Sequence, residues 1–255
     1  MQKINKTVLI TGGAKRIGAS IAEILVKNNF NVIIHFNKSE NEAIKLCKRL
    51  NQNKKVADII QGDLMIEKDV KKIFSNAYKI FSPITGLINN ASTFKYDNLK
   101  TMTDKSWHYH INPNLKAPIY LSKYFVKFLP KNTKGDIINV IDQRVLNLTP
   151  HFFSYTISKS ALWTITKTMA LDLAPNIKVN AIGPGPTLKS KFQSDKEFKR
   201  QCKSMPLQTG AQPIEISQAV LFLLSIKSMT GQLLVLDGGQ HLGWGQVSNK
   251  KDFKD

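Results

Sequence analysis

Seven short apolar, strand-like runs punctuate the chain, at 7–11, 31–35, 57–60, 85–89, 136–141, 178–182 and 233–237, and several of them are nearly all apolar. Continuous rather than alternating apolarity predicts strands covered on both faces, as in a parallel sheet. Between these runs the apolar positions recur with a helical period. Over 17–30, Ile21, Ala22, Leu25 and Val26 fall on one face. Further helices are predicted over 43–50, 67–81, 104–129, 155–173 and 215–226. The segment 104–129 carries Pro113 and Pro118, so a kink or break is expected near them. Strand and helix alternate throughout, which predicts right-handed βαβ units in an α/β, Rossmann-type doubly wound parallel sheet. No repeat, linker or low-complexity segment interrupts the alternation, so residues 1–247 read as a single domain. The long irregular stretch 183–212 is the kind of loop that serves as a lid. Residues 248–255 read as a charged, mobile tail.

Composition narrows the classes. The chain has 255 residues, 42% of them hydrophobic, enough for a sizeable core. No apolar run approaches the roughly 20 residues that span a bilayer. Met1 to Lys6 leads straight into the first apolar run, leaving no room for a signal peptide. Cys47 and Cys202 lack metal-type spacing and read as reduced thiols, so a cytoplasmic protein is expected. His108, His110, His151 and His241 have no ligand spacing either, and no metal is expected; His241 has no acidic partner apparent in the sequence. Net charge is +19 (37 basic less 18 acidic residues), which raises nucleic-acid binding as a class. The excess is lysine spread along the whole chain, with no aromatic-interleaved stripe and no helix-turn-helix or zinc-finger spacing. Nucleic acid is therefore not expected as a main partner; attraction of anionic small molecules is.

The first predicted strand ends in Thr11-Gly12-Gly13-Ala14-Lys15-Arg16-Ile17-Gly18, with a helix behind it. Such a turn lets backbone N–H groups meet a diphosphate at a helix N-terminus. Gly12 would supply the turn and Gly18 the close helix–strand approach, with Lys15, Arg16 and Ile17 flanking the phosphates. A dinucleotide of the NAD type is usually held by an Asp or Glu near the end of the second strand. Here that strand runs into His35-Phe36-Asn37-Lys38-Ser39, with no carboxylate. His35, Asn37, Lys38 and Ser39 suit a 2′-phosphate instead, which favours NADPH. Asp63 and Leu64 follow the third strand, where Asp63 could accept from the adenine amino group. Asn90, Ala91 and Ser92 follow the fourth. All these turns lie at strand C-termini, the ligand-binding edge of open α/β sheets.

Tyr155 and Lys159 stand four apart, on one face of a predicted helix. A nearby ammonium would lower the phenol pKa from about 10 and ready it for proton transfer. With TGxxxxxG, Asn89-Asn90-Ala91 and Asn180-Ala-Ile-Gly-Pro-Gly185 in order, the chain resembles the short-chain dehydrogenase/reductase family over nearly its whole length. The resemblance implies a seven-stranded parallel sheet with helices on both faces. It also implies a catalytic Asn112 supporting a water relay through a distorted helix, with Pro113 aiding the distortion. Lys159 would also hold the nicotinamide ribose, and Pro184, Gly185 and Thr187 would contact the cofactor. A homotetramer through the 104–129 and Tyr155 helices is implied too.

Two positions depart from the family pattern. Arg16 replaces a glycine of the first turn, and Asp142 replaces the catalytic serine thirteen residues before the tyrosine. Together they resemble the pteridine reductase branch, including the bacterial dihydromonapterin reductases, as do the His35–Ser39 segment and Phe94. That likeness implies that Phe94 stacks on a pterin, and that Arg16 and Ser92 touch the substrate or the phosphates. An ionised Asp142 cannot donate to a developing oxyanion. It can accept from the ring N–H and amino donors of a pterin, or orient Tyr155 as a proton source. The expected activity is hydride transfer from NADPH to a C=N bond of a pterin, of the dihydromonapterin, dihydrobiopterin or dihydrofolate kind. The alternatives are a 3-oxoacyl-type carbonyl reductase and a non-catalytic NADP-binding protein.

Overall fold

The computed structural model describes residues 6–189 and 193–243; the expected tail at 248–255 lies outside the described residues. Seven strands alternate with helices: β1 (Thr7–Ile10), α1 (Arg16–Lys27), β2 (Asn31–Phe36), α2 (Glu40–Leu50), β3 (Ala57–Gln61), α3 (Glu67–Ile80) and β4 (Ile84–Asn89) come first. Then follow α4 (Asp104–Ile111), α5 (Ala117–Phe128), β5 (Gly135–Val140), α6 (Phe153–Asp172), β6 (Ile177–Pro184), α7 (Asp195–Lys203), α8 (Pro213–Ser225) and β7 (Leu233–Leu236). The strands form one sheet in the order β3-β2-β1-β4-β5-β6-β7, and every pairing is parallel. Strand order reverses between β1 and β4, which opens a crevice at their C-terminal ends.

Two cores explain the unbroken apolar strands. Val8, Ile10, Val32, Ile34, Ile88 and Ile138 pack on one face against α1, α2 and α8. Leu9, Ile33, Leu87 and Ile137 pack on the other against α3, α5 and α6. Neighbours along each strand thus serve opposite cores, which keeps most strand positions apolar. Among the described residues no helix is long and apolar enough to cross a membrane.

The expected break at the prolines takes a specific form. Asn112–Lys116 is a π-helical turn joining α4 to α5. Pro113 and Pro118 each withhold an N–H from the ladder, and between them it widens. The irregular stretch 183–212 is only partly irregular: β6 extends to Pro184, and Ser194 and Glu197 form a capping box that starts α7.

Candidate functional site

The turn after β1 is built for close approach. Gly12 has φ +61°, and a methyl on Gly18 would sit 2.3 Å from the Gly12 carbonyl oxygen. The N-terminus of α1 has no side-chain cap and no acidic residue in its first turn, which leaves its N–H groups for an anion. Arg16 also lies at positive φ, 57°. Its guanidinium donates to the carbonyls of Leu188 (3.1 Å) and Lys189 (3.1 and 3.2 Å), so it spans from the turn to the strap after β6. The neighbouring Lys15 is exposed and faces Glu42 at 3.9 Å.

Asn90 and Ala91 brace the turn. The Asn90 amide donates to the carbonyls of Thr11 (2.9 Å) and Gly12 (3.2 Å). The Thr11 hydroxyl accepts from the N–H groups of Asn90 and Ala91, both at 3.0 Å.

His35 does not do what its position predicted. The ring is buried, with Nδ1 accepting from the Gly12 N–H at 3.2 Å and Nε2 3.1 Å from the Gly62 carbonyl oxygen. The two partners fix a neutral ring with its proton on Nε2. Burial pulls its pKa down from 6.5 to about 4. His35 is therefore a neutral prop under the glycine turn, not a cation for a 2′-phosphate. Asn37 and Lys38 are exposed beyond the end of β2, with Ser39 half-buried before α2; among the described residues Lys38 has no ion-pair partner. Asn37 and Asp63 border a cleft of ≈ 310 Å³. One Asp63 oxygen accepts from the Met65 N–H at 2.9 Å, while Leu64 is buried in the core.

A larger cleft, ≈ 320 Å³, lies at the crevice and is lined by Arg16, Ile17, Ser92, Phe94, Asp142, Tyr155 and Lys159. Pro184, Gly185 and Thr187 form its far wall, Thr187 donating to the Gly185 carbonyl at 3.1 Å. Buried polar contacts set α6 against the sheet here. Asn89 donates to Asn139 (2.8 Å), and Asn139 donates to Thr166 (2.9 Å).

The Tyr155 hydroxyl donates to Asp142 Oδ2 at 2.9 Å, and Asp142 Oδ1 accepts from the Arg144 N–H at 2.8 Å. Burial and then the Asp142 carboxylate push the phenol pKa well above its ordinary value, with the Arg144 charge opposing them. The expected lowering by Lys159 is absent. Its ammonium donates to the Val140 carbonyl at 2.9 Å and lies 5.9 Å from the Tyr155 ring centre. Burial lowers the Lys159 pKa from 10.5 to about 8. In this state Tyr155 is a protonated donor engaged with a carboxylate.

Phe94 stands 41% exposed, edge-on to Tyr155 (centroids 4.7 Å, 83°) and stacked on Phe152 (4.3 Å, 15°). The Arg144 guanidinium lies 5.1 Å from the Phe152 ring centre, on that stack.

Asn112 points elsewhere. It borders a small notch with Leu64, Glu67 and Tyr120 on the α3 side. The asparagine that joins the cleft's hydrogen bonds is Asn114, fully buried two residues on. It accepts from Ser92 Oγ (3.2 Å) and the Thr93 N–H (2.8 Å), and donates to Ser158 Oγ (3.2 Å). The wider ladder of the π turn shifts residue facing, which counting along a regular helix misses. Sequence reasoning also missed Arg144 and Phe152, which carry no motif, and the partner of His241. That ring lies 2.9 Å from Asp237 Oδ2, so the histidine is paired across the turn after β7 with the acid four residues before it.

Comparisons with known proteins agree with this layout. The family model for short chain dehydrogenase matches residues 6–200. The uncharacterized oxidoreductase YmfI of Bacillus subtilis is 30% identical over 245 residues, 93% of this chain and all of that one. The crystal structure of FolM alternative dihydrofolate reductase 1 from Brucella canis, complexed with NADP, is 44% identical with a TM-score of 0.91. The match covers 94% of this chain and 96% of that one. The Brucella suis protein of the same name, also with NADP, is 43% identical with a TM-score of 0.92 over 98% of this chain and 99% of that one. Fold, site and sequence together place the chain in the short chain dehydrogenase family.

Proposed function

We propose that the protein is an NADPH-dependent reductase acting on a C=N bond of a pterin. The observation that carries this reading is the Tyr155–Asp142 hydrogen bond at 2.9 Å. A carboxylate there offers no donor to a carbonyl oxygen that gains negative charge, so ketone reduction would lose its oxyanion support. It does offer an acceptor to the amino and ring N–H groups of a pterin. Phe94, half open beside Tyr155, supplies an aromatic surface for a flat ring. The likeness to two reductases named for dihydrofolate and complexed with NADP supports both substrate class and cofactor.

The chain fits the cofactor by shape. The room that a Gly18 side chain would fill, the open N-terminus of α1 and the missing carboxylate after β2 suit a dinucleotide with a 2′-phosphate. Gly12, Arg16, Ile17, Asn37, Lys38, Ser39, Asp63, Ser92, Lys159, Gly185 and Thr187 would hold it. NADPH, when bound, supplies the hydride. Tyr155 holds the proton for the ring nitrogen, and its raised pKa keeps that proton in place until a base develops there. Asp142 orients the hydroxyl and accepts from the substrate. Lys159, fixed to Val140, keeps a cation beneath the site. The reading carries with it a homotetramer through α4, α5 and α6, to be checked by light scattering.

The test is NADPH oxidation followed by absorbance, with dihydromonapterin, dihydrobiopterin and dihydrofolate set against an acetoacetyl thioester. Turnover of pterins but not of the thioester is expected. Turnover of the thioester alone would refute the substrate class and keep the fold.

A further inference from the structure

The loop after β4 that carries Phe94 is fastened to the helix that carries Tyr155 at two levels, one on each side of both residues. On one side Asn114 joins Thr93 to Ser158, and Ser158 donates to the Tyr155 carbonyl at 2.6 Å. On the other side lies a buried chain of three side chains: Asp97, Ser154 and His110. Asp97 accepts from the Ser154 N–H at 3.1 Å and, through its second oxygen, from the Ser154 hydroxyl. The Ser154 oxygen lies 2.7 Å from His110 Nδ1, and His110 Nε2 accepts from the Lys95 N–H at 3.1 Å. Each bond fixes the next. The carboxylate can only accept, so the serine must donate to it. The serine oxygen then accepts from Nδ1–H, and Nε2 is left bare for the Lys95 N–H. The chain ends on the residue after Phe94 and passes through the residue before Tyr155.

A purely local cap for α6 does not account for this. Its N-cap residue, Phe152, is at φ 58° and offers no side-chain hydrogen bond. Asp97, fifty-seven residues away in sequence, does the capping instead, and its own carbonyl accepts from the Phe153 N–H at 3.2 Å. The cap is thus supplied by the loop that bears Phe94, so helix start and loop can move only together.

We propose that Asp97, acting through Ser154 and His110, is a positioning residue that sets the gap between the Phe94 ring and the Tyr155 hydroxyl. This rests on the pterin reductase reading, in which the substrate ring meets the exposed part of Phe94 and takes its proton from the Tyr155 hydroxyl. A shift of about 1 Å at such a gap costs on the order of 100-fold in rate. His110 gives the arrangement a pH signature. The groups around it are Asp97 and Lys95 from the loop, Ser106 and the Tyr109 ring from its own helix, and Ser154 and the Tyr155 ring from α6. A proton on Nε2 would set N–H against the Lys95 N–H and part the loop from α6.

The experiment measures kcat, KM for a dihydropterin and NADPH affinity in the full-length protein, across pH, for the wild type, Asp97→Ala, Asp97→Asn and His110→Gln. Asp97→Asn keeps the shape but lets the amide donate, which reverses the chain and places a donor against Lys95. Both Asp97 variants should lose about 10- to 100-fold in kcat/KM, with NADPH affinity held within about threefold. Glutamine at 110 offers one donor and one acceptor and does not titrate. His110→Gln should keep kcat/KM within about fivefold of wild type near neutrality and abolish an acid limb that the wild type shows below its histidine pKa. Kinetics unchanged in Asp97→Asn, or an acid limb that persists in His110→Gln, would overturn the positioning role while leaving the function standing. A wild type that reduces no dihydropterin would overturn both. Should Asp97→Ala not fold, the isosteric Asp97→Asn and His110→Gln decide the matter.

Discussion

His35 contributes one separable part of the protein's acid stability. Its pKa is 6.5 in an unfolded chain and about 4 in the fold, where burial excludes the charged ring. The unfolded chain therefore takes up the proton first as pH falls. The stabilisation is complete above pH 6.5 and is lost progressively as pH drops from 6.5 through 4. The full separation corresponds to about 3.4 kcal/mol at 1.36 kcal/mol per pH unit. Going from about pH 7.5 to about pH 4.5 removes about 2.5 kcal/mol of it by the same linkage. His35→Gln keeps an acceptor for the Gly12 N–H and a donor for the Gly62 carbonyl, the two bonds the ring makes, but cannot titrate. Urea unfolding of both proteins at the two pH values isolates the term, because every other titrating group is common to both. The wild type should lose about 2.5 kcal/mol more than the variant on acidification. Equal losses would mean that His35 is protonated in the fold at about the same pH as in the unfolded chain, and that the glycine turn rests on something else.

Three further outcomes follow from the site. Tyr155→Phe removes the proposed proton donor but little of the cofactor surface. Turnover should fall about 10²- to 10⁴-fold with NADPH affinity, by fluorescence titration, within about threefold of wild type. Gly18→Ala would place a methyl 2.3 Å from the Gly12 carbonyl, so the turn must open. NADPH affinity should drop by about tenfold or more, roughly 1.4 kcal/mol, and unchanged affinity would refute the close-approach argument. Lys159 has a folded pKa of about 8 against 10.5, so the unfolded chain holds its proton longer as pH rises. Stability should climb between pH 8 and 10.5, by roughly 3 kcal/mol in all, and thermal unfolding of Lys159→Met should lack that climb.

The sheet was legible because each strand residue serves one core or the other, and that leaves a continuous apolar run such as Val8-Leu9-Ile10 with no polar break. Helix edges were less so. Local capping chemistry decides where α7 begins, and the Ser194 and Glu197 pair lies inside a stretch that scattered Pro and Gly make look irregular. Motif spacing pointed to Asp142, Tyr155 and Lys159, which the structure brings to one cleft because short, regular segments set their relative places. It failed at Asn112, where two prolines widen the helix and turn Asn114 toward the cleft instead. It also failed at His35, where residue type and position fitted a phosphate, but burial and two backbone partners fix the ring as neutral. Contacts such as Asp97 with Ser154 leave no periodic trace, since their partners are brought together only by the finished sheet.

The two departures from the family pattern act on separate parts of one cleft. Arg16 takes a conformation that costs a non-glycine residue about 1–2 kcal/mol, yet its three hydrogen bonds to the strap at Leu188 and Lys189 exist only because a long side chain stands there. A glycine would be relaxed and would leave that strap untied. Asp142 makes the reverse exchange at the chemical end. It gives up the donor that steadies an oxyanion and gains an acceptor that holds Tyr155. Burial of the phenol and then the half-buried Asp142 carboxylate raise the phenol's pKa, so the proton stays on oxygen until a stronger base develops beside it. On the proposed pterin reading, the nitrogen that gains an electron pair as its C=N bond is reduced is that base, while Asp142 beside it accepts from the ring's N–H and amino donors.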